Sequence, residues 1–194
     1  MAGHRGRRPG QRLFVALDPP VAVREALLAW TRQQRGQAPA MRAVPAEQLH
    51  VTLAFLGART ATEIDPIADA VAEAVATVSD GRPLPRLRLG GPLWLPPRRP
   101  RVLAAEVHDD GAGELLALQA AVAAGLRDAI GWEEERRFLP HLTLARMRSD
   151  AAPDRRSLPA TPAAEFEPEA VVVYRSHLEP TGARYEAIER LALR

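Results

Sequence analysis

The tetrapeptides HVTL (His50 to Leu53) and HLTL (His141 to Leu144) write one pattern twice in a chain of 194 residues that has only five histidines. Side chains alternate along a strand, so His50 and Thr52 share one face while Val51 and Leu53 take the other. The same parity sets His141 and Thr143 against Leu142 and Leu144. Each segment buries an aliphatic pair and presents an imidazole beside a hydroxyl. Two such strands, about half a chain apart, point to a duplicated architecture.

The remaining segments supply its parts. RLFVALD (Arg12 to Asp18), LHVTLAFLG, LPRLRLGG, RVLAAEV, HLTLARM, AVVVYRSHL and ARYEAIERLAL read as strands. VAVREALLAWTRQQRG, closing at Gly36, carries apolar residues at helical spacing, as does GELLALQAAVAAGLRDAIGW. TEIDPIADAVAEAVATVSDG reads as a helix with Thr62 as its cap and a stop before Gly81. The Pro-rich PLWLPPRRP marks a turn, SDAAPDRRSLPATPAAEFEP a loop, and EPTG a tight turn between the last two strands. Strands and helices mixed with hairpin-like joins predict an α+β fold with antiparallel sheets. Residues 1–11, rich in Gly and Arg, read as a disordered basic tail, and residues 12–194 as a single domain.

Composition narrows the chemistry. The chain has no cysteine, which removes disulfides, thiolate nucleophiles and cysteine-ligated zinc. All 26 basic residues are Arg, a planar fork of donors that suits phosphate oxygens, although a GC-rich genome would produce the same bias. No stretch approaches the ~18 apolar residues of a membrane helix, and the opening MAGHRGRRPG has no apolar core to follow its basic residues, so a cytoplasmic protein is expected.

One His-x-Thr on a strand is most simply a half-buried structural residue; two matching copies favour chemistry. An imidazole titrates near pH ~6.5, so a pair can hold one ring neutral as base and one protonated as acid. Threonine hydroxyls at fixed offsets can donate to phosphoryl oxygens. That equipment opens a cyclic phosphate without a metal: one His takes a proton from water, and the other gives one to the departing ribose oxygen.

With RLFVALDPP, LHVTLAFLG, GPLWLPPRRPRVLAAEV, RRFLPHLTLAR and VVVYRSHLEPTGARYEAI in that order, the chain from about Arg12 onward resembles the RNA 2′,3′-cyclic phosphodiesterases, or 2′-5′ RNA ligases, of the two-histidine phosphoesterase superfamily. The resemblance implies a bilobal, pseudo-symmetric fold, with a sheet and flanking helices in each lobe and a central cleft where the HXTX motifs meet. It implies hydrolysis of RNA 2′,3′-cyclic phosphate to a 2′-phosphate with no cofactor and no metal. His50 would be the proton donor to the leaving 3′ oxygen and His141 the base, with Thr52 and Thr143 binding phosphate. Phe55 and Arg146, each five positions after its His, would flank the terminal base. Strict alternation puts a residue five along on the opposite face, so each strand must bend or end before reaching it. The implied partners are RNA 3′ ends or nucleotides bearing a cyclic phosphate, bound by a monomer that contacts no membrane.

Other residues point elsewhere less strongly. HDDG (His108 to Gly111) has three potential metal ligands but reads as a solvated turn, and His177 as a surface strand residue. Ser176 has no sequence-adjacent base, which leaves a serine-hydrolase reading without support. Alternatives to the hydrolase are 2′-5′ joining of RNA ends, hydrolysis of a small cyclic nucleotide phosphate, and a non-catalytic nucleotide- or RNA-binding module.

Overall fold

A computed structural model describes residues 10–34, 40–79, 85–109, 113–148, 158–180 and 182–193. The chain runs β1 (Gln11–Asp18), α1 (Val21–Gln34), β2 (Met41–Ala43), β3 (Val51–Arg59), α2 (Ile64–Ser79), β4 (Leu87–Leu95), β5 (Val102–Asp109), α3 (Glu114–Ile130), β6 (His141–Met147), β7 (Glu165–Phe166), β8 (Ala170–Glu179) and β9 (Gly182–Ala192). All described strand pairs are antiparallel, in the order β7-β4-β5-β6-β3-β1-β8-β9, with β2 added on β6. The fold is α+β, as its sequence pattern predicts.

Two halves are evident in the order of elements. In one, β1 and β3 pair on either side of α1; in the other, β5 and β6 flank α3, and β8 and β4 extend them outward. The halves join edge to edge through β3 and β6 into one sheet. Only Val51 and Leu142 are registered across that seam.

Alternation assigns the two faces. On β1, Leu13, Val15 and Leu17 pack into the core with Leu27 of α1, Val71 of α2 and Leu118 of α3. Burying each such side chain contributes roughly 1.5–3 kcal/mol. Arg12 and Phe14, at the intervening positions, face a pocket on the other side. The helices thus cover one face and leave the second for ligand. Helices α2 and α3 approach closely, because a Cβ on Gly125 would lie 3.1 Å from the Ala70 carbonyl oxygen. A larger residue there would push the helices apart.

Several boundaries differ from the sequence reading. The cap before α2 is Thr60, not Thr62: its N–H donates to the Glu63 carboxylate at 2.7 Å, and Thr62 lies inside the intervening 3-10 turn. Pro92 to Leu95, expected in a turn, belong to β4, which absorbs the proline at a register shift between Leu89 and Pro92. Glu165–Phe166, expected in a loop, form the edge strand β7. Most of the expected tail and the expected helix stops at Gly36 and Gly81 lie outside the described residues. Gln11, counted with the tail, opens β1 opposite Arg59.

Candidate active site at the seam of the sheet

The seam brings the repeated tetrapeptides together. Val51 opposes Leu142 in antiparallel register, so one step to either side sets His50 beside Thr143 and Thr52 beside His141. Val51 and Leu142 turn into the core, and all four polar residues line one pocket of about 860 Å³. Residues 91 positions apart in the chain thereby share one concavity.

Both imidazoles are oriented in the same way. His50 Nδ1 donates to the Gln48 carbonyl at 2.7 Å, and His141 Nδ1 donates to the Leu139 carbonyl at 2.7 Å. Each bond uses the carbonyl two residues back and fixes the proton on Nδ1, which leaves Nε2 as the nitrogen free to accept. His50 also packs against Phe14 at 4.9 Å between ring centroids and meets the edge of Tyr185 at 5.4 Å. This apolar enclosure strips water from the ring and lowers its pKa to about 4. The Gln48 carbonyl and the Asp18 carboxylate work against the shift, while the Arg146 and His141 charges add to it. His50 is therefore neutral at neutral pH.

A bulge solves the five-residue offset. Along β1, Ala16 opposes Thr52 and Val15 opposes Ala54, so Leu53 is the extra residue; Leu53 and Ala54 are both buried, and Phe55 emerges on the pocket side, 55% exposed. In the second half, Ala104 opposes Thr143 and Leu103 opposes Ala145, which makes Leu144 the extra residue. Leu144 and Ala145 are buried and Arg146 reaches the pocket. Each strand therefore changes phase before its fifth residue, at the Leu after its Thr, and β3 shifts again at Leu56, beyond Phe55. The Trp132 indole N–H, just beyond α3, donates to the Phe55 carbonyl at 3.1 Å and holds that turned backbone.

Arg12, Arg42, Arg136 and Tyr185 also line the pocket, and the motif-based reading omits them. They come from β1, β2, the stretch before β6, and β9, so no spacing in the sequence joins them. The phrase RRFLP, which contains Arg136, lies just before the second motif and is a sequence signal of positive potential there. Behind Phe14, the buried Asp18 carboxylate accepts from the Tyr174 hydroxyl at 2.9 and 3.0 Å and pairs with Arg24 at 3.5 Å and with Arg190. Burial, and then the Asp18 charge, raise the Tyr174 pKa, so its hydroxyl remains a donor.

The distracting residues have structural partners. HDDG, expected as a solvated turn, begins within β5, which runs to Asp109; the Asp109 carboxylate accepts from the Leu115 N–H in the first turn of α3 at 2.8 Å, and His108 lies 3.5 Å from Glu106. His177 meets Glu186 at 2.7 Å. Ser176 lines the pocket. No described group of three or more His, Asp or Glu is placed to hold a metal ion. No described helix is long and apolar enough to cross a membrane.

Comparison with known proteins agrees with this layout. The family model described as "2'-5' RNA ligase superfamily" matches residues 19–180. An RNA 2′,3′-cyclic phosphodiesterase of Thermus thermophilus is 35% identical over 193 residues, covering 94% of this chain and 90% of the relative. A protein of the same name from Escherichia coli is 32% identical over 146 residues, 73% of this chain and 74% of its own. The crystal structure of TT0787 of Thermus thermophilus superposes with a TM-score of 0.76 at 32% identity, covering 94% and 98% of the two chains. That of Escherichia coli LigT complexed with 3′-AMP gives 0.66 at 27% identity, covering 96% and 99%. Twin motifs on adjoining strands and matches of this extent have one explanation: the chain belongs to the 2′-5′ RNA ligase superfamily.

Proposed function

We propose that this protein hydrolyses the 2′,3′-cyclic phosphate at an RNA 3′ end to a 2′-phosphate, using two imidazoles and no metal. One observation carries the reading: both His side chains hold their Nδ1 on a carbonyl two residues back and line a shared pocket, each next to the other motif's Thr. A binding module has no use for two identically oriented proton carriers. The names of the relatives from Thermus thermophilus and Escherichia coli support the same activity. An RNA end as substrate also suits a cytoplasmic enzyme.

The family resemblance supplies the roles in the mechanism. Thr52 and Thr143 donate hydroxyl hydrogen bonds to the non-bridging phosphoryl oxygens as negative charge builds on them. His141 Nε2 removes a proton from water, the water oxygen bonds to phosphorus, and the bond from phosphorus to the 3′ oxygen breaks. His50 Nε2 gives its proton to that oxygen, leaving a 3′-hydroxyl and a 2′-phosphate. His50, neutral by itself at neutral pH, takes up this proton when the phosphate anion arrives to offset the desolvation. Phe55 and Arg146 flank the terminal base by stacking and cation–π contact, which tolerates any base.

The test uses RNA ending in a 2′,3′-cyclic phosphate in the presence of a chelator, with product identification. A 2′-phosphate is expected, and His50→Ala and His141→Ala each lower kcat by roughly 10²–10⁴. Sulfur in place of the 3′ bridging oxygen leaves without protonation, so that substrate restores turnover to His50→Ala and not to His141→Ala. Rescue of the wrong variant would exchange the roles, and no product from the wild type would refute the activity.

A further inference from the structure

Beyond the two motifs, the pocket continues over β1, β8 and β9. Register sets Arg12 beside Ser176, and Ser176 beside Tyr185. All three face the pocket. Two residues further along the same face of β8 is Leu178, at 72% the most exposed large hydrophobic side chain among the described residues. The Arg12 guanidinium has no carboxylate partner among the described residues. Glu179, the single acidic residue in the wall, is already held by Arg184 at 2.8 Å. An unpaired cationic fork, a hydroxyl at its side and an exposed apolar side chain beyond them provide donors for one phosphate and a surface for one base.

We propose that Arg12, Ser176 and Leu178 form a subsite for the nucleotide that precedes the cyclic phosphate. Arg12 and Ser176 take the internucleotide phosphate, and Leu178 packs under the preceding base. This inference rests on the reading that the substrate is an RNA end. The spacing fits: four residues along β1 and one strand across put the Arg12 backbone ~14 Å from that of Thr52, and an extended Arg side chain closes about half of that gap. The volume fits as well, since about 860 Å³ lies in the upper part of the ~300–1,000 Å³ range of single-ligand pockets, with room past the terminal nucleotide. The second half has no equivalent row, because β5 begins at Val102, directly opposite Arg146. The preceding nucleotide thus has one direction in which to run.

Two substrates separate the possibilities: a mononucleoside 2′,3′-cyclic phosphate and a dinucleotide ending in the same group. The expected result is a kcat/KM about tenfold higher for the dinucleotide. Arg12→Ala removes most of that preference, and Arg12→Lys keeps part of it because charge without the fork is retained. For the dinucleotide, Arg12→Ala also flattens the dependence of log KM on log salt by about 0.7. In parallel, calorimetry measures binding of the 2′-phosphorylated dinucleotide and mononucleotide products to the wild type and to Arg12→Ala. Absence of a dinucleotide preference, or equal losses on both ligands in Arg12→Ala, would overturn the subsite. Turnover of neither substrate with a retained, Arg12-dependent binding preference would defeat the hydrolase reading and leave the subsite standing.

Discussion

His50 is enclosed by Phe14 and Tyr185, and that enclosure has a measurable consequence for the free protein. Its pKa falls from the ordinary value of 6.5 to about 4 on folding, so between those values the unfolded chain binds more protons than the folded one. Stability contributed by this group is therefore intact above pH 6.5 and declines as the pH falls toward 4. The full cost is up to ~3 kcal/mol. Thermal unfolding from pH 7 down to pH ~4 should show a decline that is shallower in His50→Gln; equal slopes would contradict the burial argument. The opposite sign applies on ligand binding. A phosphate anion raises the pKa of His50, so binding near pH ~6 takes up close to one proton. Calorimetry in buffers of different ionisation enthalpy measures this uptake, and heats that do not depend on buffer would exclude it.

At the scale of elements, the bulges decide which side chains work. The extra residues Leu53 and Leu144 allow a five-residue offset to return to the pocket face, and Trp132 anchors the first of these turns through the Phe55 carbonyl. Trp132→Phe keeps the ring and loses the donor, leaving a carbonyl unsatisfied at a cost of about 1–3 kcal/mol of stability. With the Phe55 backbone released, KM should rise several-fold while kcat stays within about twofold, as steady-state kinetics would show. A fall in kcat alone would place Trp132 in the chemistry and not in base binding. The sequence made half of this legible. HVTLAF and HLTLAR reveal the pocket-lining face by simple alternation, and the conflict over the fifth residue is visible in the letters. Its resolution is not, because a bulge is set by which partner residues the neighbouring strand offers, here Ala16 and Ala104. For the same reason β2 escaped notice: three residues form a strand only because β6 presents a free edge to them. Arg12 and Tyr185 were legible as strand residues, but their place in the pocket depends on the strand order β3-β1-β8-β9.

For the whole molecule, the two halves share one core, which runs from Leu17 and Val171 on one side to Leu87 and Val107 on the other. What differs between them is the equipment around the seam. The His–Thr quartet, with its matched carbonyl bonds and matched bulges, looks the same when the halves are interchanged. A cyclic phosphate presents two nearly equivalent ribose oxygens to that quartet, whose backbone layout alone does not choose between them. Handedness must therefore come from the unmatched surroundings: Phe55 on one side, Arg146 on the other, the Phe14–Tyr185 enclosure of His50, and the row that continues past Phe14 to Arg12. Exchanging the first pair, Phe55→Arg with Arg146→Phe, should turn some bound nucleotides end for end and release a measurable share of 3′-phosphate, detectable by chromatography of the products. Unchanged formation of 2′-phosphate alone would assign the choice to the Arg12 side. The proposed reaction thus takes its regiochemistry from a broken twofold, written largely in residues outside the His–Thr quartet.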